Sequence, residues 1–130
     1  MGISLDTGAL ISLVEKRRLS IRKVYEVAVT SAVPIHVSTA VVAEWWREGA
    51  GEKTRGDWLR SMHVEVLTEQ IARLAGVAIG RVKGAGTIDA IVLATATLRG
   101  DVAVYTSDPH DLIALRDGVK EFSHLKIEHA

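Results

Sequence analysis

The chain has 130 residues, 48% apolar and 25% charged, with 16 basic and 16 acidic side chains and no cysteine. That supports one domain around one core, rules out disulfides and thiolate metal sites, and with zero formal net charge leaves no generally basic nucleic-acid-binding surface. No apolar run approaches the roughly 20 residues of a membrane span, and Met1 to Asp6 carry no basic or apolar leader, so a cytoplasmic protein with no membrane partner is expected.

Ile3 to Leu5 reads as a short strand leaving through Asp6-Thr-Gly8, followed by a helix over Ala9 to Glu15 with Leu10, Leu13 and Val14 on one face. Lys16, Arg17, Arg18, Arg22 and Lys23 concentrate positive charge, read first as a solvated helix and loop face. Ser20 is expected to cap a helix from Ile21 to about Ser31. Beyond Pro34, Ile35 to Val37 predicts a strand, and Ser38 or Thr39 caps a helix from Ala40 to about Glu48. Gly49 to Gly51 ends it. Glu52 to Asp57 reads as a mobile polar connection to a short helix near Trp58.

His63 to Leu67 alternates as a strand does, and Thr68 caps a long helix to about Lys83. Gly84 to Gly86 interrupts the chain before a small-residue helix opened by Thr87 and running over Ile88 to Leu98. Val102 to Thr106 is the clearest buried strand, Asp108-Pro109 opens another helix, and Leu125 to Ile127 closes with an edge strand. Strands alternating with helices, without repeat or linker, predict a single α/β domain over residues 1–130: a central parallel sheet flanked by helices.

Several short motifs carry no chemistry here. Asp6-Thr-Gly8-Ala9 matches the tetrapeptide of aspartic proteases, but that fold is all-β and needs a second such aspartate. Gly49 to Thr54 departs from a phosphate-binding loop, with Glu52 where glycine is required. Gly84-x-Gly86 lacks the third glycine of a dinucleotide fingerprint and follows a helix. The histidines show no paired ligand spacing, and the tryptophans at 45, 46 and 58 are core or interface anchors first.

The acids stand out by position. Asp6, Glu44, Asp89 and Asp108 lie where strands give way to helices, with Asp111 one turn past the last. Singly, the three aspartates read as helix caps. Glu44 does not, because it stands mid-helix between Val42-Ala43 and Trp45-Trp46, where a carboxylate needs a partner or a metal. In a parallel α/β fold, sites form outside the carboxyl ends of the strands, so these groups can converge. Crowded carboxylates repel one another and bind hard cations, which predicts a Mg²⁺ or Mn²⁺ site for phosphodiester chemistry.

Leu5-Asp6-Thr7, Ala43-Glu44-Trp45-Trp46, Thr87-Ile-Asp89-Ala-Ile-Val-Leu-Ala-Thr-Ala96 and Val104-Tyr-Thr-Ser-Asp108-Pro-His-Asp111-Leu112 together resemble the PIN-domain nucleases over essentially the whole chain. The resemblance is strongest to the toxin half of VapBC toxin–antitoxin pairs. It implies a PIN-like fold and an acidic quartet of Asp6, Glu44, Asp89 and Asp108, with metal held by Asp6, Asp89 and Asp108. It assigns supporting positions to Thr7, Thr106, Ser107 and Asp111, and implies an RNA substrate and a cognate antitoxin. A solitary RNA-processing nuclease and a catalytically silent PIN-fold binding module are the alternatives. Three tryptophans and the apolar fraction further predict a homodimer.

Overall fold

The computed structural model describes residues 1–130. In chain order, its elements are β1 (Ile3–Leu5), α1 (Thr7–Leu10) continuing into a π-helical turn (Ile11–Glu15), α2 (Leu19–Thr30), β2 (Ile35–Ser38), α3 (Thr39–Trp45) and α4 (Glu52–Arg60). Then come β3 (His63–Glu65), α5 (Glu69–Arg81), α6 (Thr87–Leu98), β4 (Ala103–Thr106), α7 (Pro109–Gly118), a 3₁₀ turn (Lys120–Phe122) and β5 (Lys126–His129). The five strands form one sheet in the order β3-β2-β1-β4-β5, parallel throughout. No helix is long and apolar enough to cross a membrane.

The apolar pattern explains this order. β1 is buried at every residue and pairs on both sides, Ile3 facing Ile35 of β2 and Ala103 of β4. Polar, exposed residues at Lys126, Glu128 and His129 fit β5 to an edge. On α6 every residue from Ala90 to Ala96 is buried, and small side chains at Ala90, Ala94 and Ala96 let the helix lie between the sheet and its neighbours α5 and α7. The Thr95 hydroxyl within that stretch donates to Ile91 O at 2.7 Å, which removes the cost of burying it. Leu93, Leu112, Leu115 and Phe122 fill the space around α6.

The structure moves several sequence-based boundaries. The polar stretch Glu52 to Asp57 is the first half of α4. Gly51, at φ 89°, turns the chain into that helix, and Lys53–Asp57 and Asp57–Arg60 pairs support it in place of an apolar stripe. α2 begins at Leu19 behind Arg18 rather than after Ser20, and α3 ends at Trp45 rather than near Glu48. β3 stops at Glu65, α5 at Arg81, and β5 runs Lys126–His129.

Strands and helices meet so that β1 and β4, adjacent in the sheet, lead into helices whose chain connections run in opposite directions along it: β1 toward β2, β4 toward β5. That is the topological switch point, outside whose carboxyl ends a parallel α/β sheet leaves a crevice.

Candidate active site at the switch point

Asp6 leaves β1 at this crevice and caps α1, its Oδ1 accepting the Ala9 amide at 2.8 Å. Asp108 leaves β4 and caps α7, accepting the His110 amide at 3.4 Å. Capping therefore accounts for part of both aspartates without excluding a second role, since the Asp6 and Asp108 caps each engage a single carboxylate oxygen. Asp89, in the first turn of α6, accepts no backbone amide, and that helix starts without a side-chain cap. The capping explanation fails for it.

Glu44 corrects the sequence reading in one respect. It is exposed and lies in the last turn of α3, not enclosed mid-helix by apolar neighbours. Its apolar sequence neighbour Trp45 turns inward and is 4% exposed, while Glu44 faces α1, where the Thr7 hydroxyl donates to its Oε1 at 2.6 Å.

The electrostatics group the five acids in one neighbourhood. Burial, then the charges of Asp6, Asp111, Glu44 and Asp108, push the Asp89 carboxyl up to about 6. Burial also raises Asp6, reinforced by Glu44 and offset by hydrogen bonding from Thr106 and from the Ala9 and Gly8 amides. None of Asp6, Glu44, Asp89, Asp108 and Asp111 forms an ion pair, although ion pairs engage acids elsewhere on the surface such as Asp57, Glu69 and Asp117. No three of them stand close enough, as placed, to enclose a metal ion. The donor set still suits a hard cation: oxygen ligands only, from separate elements, with their charges uncompensated.

The supporting positions differ in what they do. Thr106 is buried at the end of β4, where its hydroxyl accepts the Asp108 amide at 3.1 Å and fixes the turn that presents Asp108. Ser107 is exposed and its hydroxyl makes no hydrogen bond. Asp111 is exposed on the first turn of α7 and contributes charge to Asp89.

Sequence reasoning passed over the geometric role of Gly8. A Cβ built there would overlap Ser107 Oγ and lie 3.0 Å from Ser107 Cβ and 3.2 Å from its backbone nitrogen. The absence of a side chain thus lets α1, capped by Asp6, approach the β4–α7 turn that carries Asp108. Asp101, equally unmarked in sequence, is buried at the opposite end of the sheet, bound to Ser4 and to His36 Nδ1 at 2.7 Å, and takes no part in the crevice.

Residues 3–116 match the family model described as PIN domain. Comparison with curated protein sequences found no match. Among solved structures, a chain of VapBC2 from Rickettsia felis bound to a DNA fragment from their promoter is 15% identical at TM-score 0.77, covering 100% of this chain and 99% of that one. A chain of DNA-bound VapBC from Salmonella typhimurium is 15% identical at TM-score 0.76, covering 99% and 98%. A chain of a toxin–antitoxin complex from Klebsiella pneumoniae is 21% identical at TM-score 0.65, covering 85% and 89%. These likenesses are of fold.

Proposed function

The chain belongs to the PIN domain family, and from that membership and the geometry of the crevice we propose that it is a metal-dependent endoribonuclease, the toxin of a toxin–antitoxin pair. The observation that carries the nuclease reading is the set of five carboxylates without ion-pair partners, from the N-caps of α1 and α7 and from α3, α6 and α7, around the switch point. The VapBC complexes among the structural neighbours support the toxin reading.

Asp6, Asp89 and Asp108 would hold one or two Mg²⁺ or Mn²⁺ ions, with Glu44 binding directly or through water. Such an ion lowers the pKa of a bound water and stabilises charge on the phosphoryl oxygens. The protein's own residues prepare the place. The Ala9 amide fixes Asp6, Thr106 fixes the turn bearing Asp108, and Thr7 holds one oxygen of Glu44 while leaving the other free. Asp111 adds negative charge that raises the Asp89 carboxyl and draws positive charge, proton or cation, toward it.

A cognate antitoxin would cross the crevice with an arginine or lysine, whose charge stands in for that of the metal and pairs with carboxylate oxygens. A homodimer is also proposed. Val24, Val27, Val33, Val102 and Tyr105 line an apolar groove of about 440 Å³ beside α2, and Val27 and Val102 are largely exposed. Light scattering of the isolated protein decides between monomer and dimer.

The test of the chemistry is incubation of purified protein with total RNA, with and without EDTA. Cleavage with Mg²⁺ that stops with chelator is expected, and Asp6→Asn, Asp89→Asn and Asp108→Asn are each expected to abolish it with the fold retained. Cleavage indifferent to EDTA overturns the metal mechanism.

A further inference from the structure

The acidic crevice leaves a second charged feature unused. Lys16, Arg17 and Arg18 follow one another past the π-helical turn, all three exposed and none in an ion pair. Arg17 holds φ at 51°, in the left-handed region that a bulky side chain rarely adopts. Beside it opens a cavity of about 290 Å³, whose lining includes Glu15, Arg17, Gly51, Thr54 and Arg55.

The one acid in that lining is already engaged. Glu15 pairs with Arg55 at 3.3 Å and accepts the Trp45 indole N–H at 3.0 and 3.2 Å. Arg55 in turn lies over the Trp45 ring, 5.7 Å from its centroid, and its buried Nε has no hydrogen-bond partner. The positive charge of Lys16, Arg17 and Arg18 therefore stands uncompensated on a chain of zero net charge.

Its place relative to the crevice follows from connectivity. α1 begins at Thr7, directly after Asp6, and the helical path continues through Glu15. Nine residues at the helical rise put Glu15 roughly 13 Å along from Asp6. Trp45, bound to Glu15, is the residue after Glu44. α1 and its π-helical continuation thus meet the C-terminal turn of α3 twice, Thr7 at Glu44 and Glu15 at Trp45, and Arg55 of α4 joins the second contact.

An acidic centre repels every phosphate of a strand except one neutralised by bound cations, so a strand cut there needs positive charge beside it. We propose that Lys16, Arg17 and Arg18, consecutive exposed cations of which Arg17 lines the cavity walled by Arg55, hold the phosphates of an RNA strand to one side of the scissile bond. The subsite positions the backbone and reads no bases. It rests on the RNA-cleaving function proposed above and adds where the strand lies.

The test measures binding of a labelled single-stranded oligoribonucleotide to Asp6→Asn protein over a salt series. Adding Lys16→Gln with Arg17→Asn is expected to weaken binding about tenfold at low salt and to lower the slope of log affinity against log salt by about 1.4, at roughly 0.7 per phosphate contact on a single strand. Asparagine suits the left-handed backbone at position 17, so the melting temperature is expected to hold. The charge-conserving pair Lys16→Arg with Arg17→Lys is expected to keep the slope. Lys126→Gln, an exposed cation on the far edge strand, is expected to change nothing.

In the catalytic background, Lys16→Gln with Arg17→Asn is expected to raise KM for RNA and leave kcat intact. If the unmodified protein cleaves RNA while the neutralised variant binds with unchanged slope, the subsite is overturned and the nuclease stands. If the unmodified protein neither binds nor cleaves RNA, both fall. Retained RNA binding with lost binding of a co-expressed partner protein also overturns the subsite, by assigning the patch to a protein contact.

Discussion

Asp89 is the residue where burial and crowding act together. Its carboxyl titrates at about 6, against an ordinary 3.8, so the folded protein takes up a proton there more readily than the unfolded chain. The sign follows: stability from this group grows as pH falls through 6, levels off below about 4, and is absent above about 6. Asp6 is raised too and acts in the same direction. Metal-free protein is therefore expected to melt higher at pH 5 than at pH 7. Asp89→Asn is expected to raise the pH 7 melting temperature by about 4 °C, the shift that roughly 1 kcal/mol produces in a domain of this size. The gain should shrink toward pH 5, where the native aspartate is itself mostly protonated. Thermal melts of both proteins in EDTA across that range check it, and a variant that melts lower at every pH identifies Asp89 as a structural group. Strand-to-helix junctions are legible from pattern, and Asp6 and Asp108 do stand at them. Asp89, however, follows the break between α5 and α6 and Glu44 sits in the last turn of α3, so the expected strand exits hold for two of the four acids. Asp101 was not legible in the same way. After Arg99-Gly100 it looks like a turn residue, and only the fold reveals that parallel pairing of β1 with β2 and β4 brings Ser4 and His36 to it.

Between elements, the decisive contact is the one at Gly8. An added methyl there meets the backbone nitrogen and Cβ of Ser107 as well as its hydroxyl, so rotating the serine does not relieve it. The turn that carries Asp108 must move away from Asp6. Gly8→Ala is expected to cost about 1–3 kcal/mol of stability, as overpacking does, and to reduce cleavage, because the turn bearing Asp108 is pushed off α1 by a few tenths of an ångström. A denaturation curve and a cleavage rate on one preparation test it, with Ser107→Gly in the same chain expected to recover part of both. An unchanged rate would show that the distance between the two aspartates is not set here. Why this was unreadable is plain: Gly8 sits in a motif that invites a protease comparison, and close approach depends on which two loops the topology brings together. Helix α4 illustrates a different limit. Its residues Glu52 to Arg60 are held by charge pairs and a left-handed Gly51, so no apolar period marked them as helical. α3, conversely, lost its last turn because Trp46 leaves the helical region at ψ 137°.

For the whole molecule, the parallel sheet with order β3-β2-β1-β4-β5 brings residues distant in the chain to one end of the sheet. Asp6 and Asp108 are separated by most of the chain, yet leave adjacent strands in the same direction. That much was legible as a fold class, since alternating strands and helices dictate parallel pairing and parallel pairing dictates a shared end. The biological role sits one step further out, and expression in bacteria reaches it. If this chain is the toxin of a pair, inducing the wild-type gene alone should slow growth, and Asp6→Asn at equal soluble level should not. The asparagine preserves the amide acceptor for Ala9, so the fold and the α1 cap are kept while a charge at the crevice is lost. Co-expression of the adjoining gene should restore growth in the wild type, and the two products should purify together. Replacing the arginine or lysine that the partner places over Asp6, Asp89 and Asp108 should release the toxin from inhibition, even if the complex still forms through other contacts. Normal growth on induction of soluble, folded wild-type protein that cleaves RNA in vitro would move the assignment to a solitary RNA-processing nuclease of the same fold. Normal growth without cleavage would leave a binding module that keeps its carboxylates but turns nothing over.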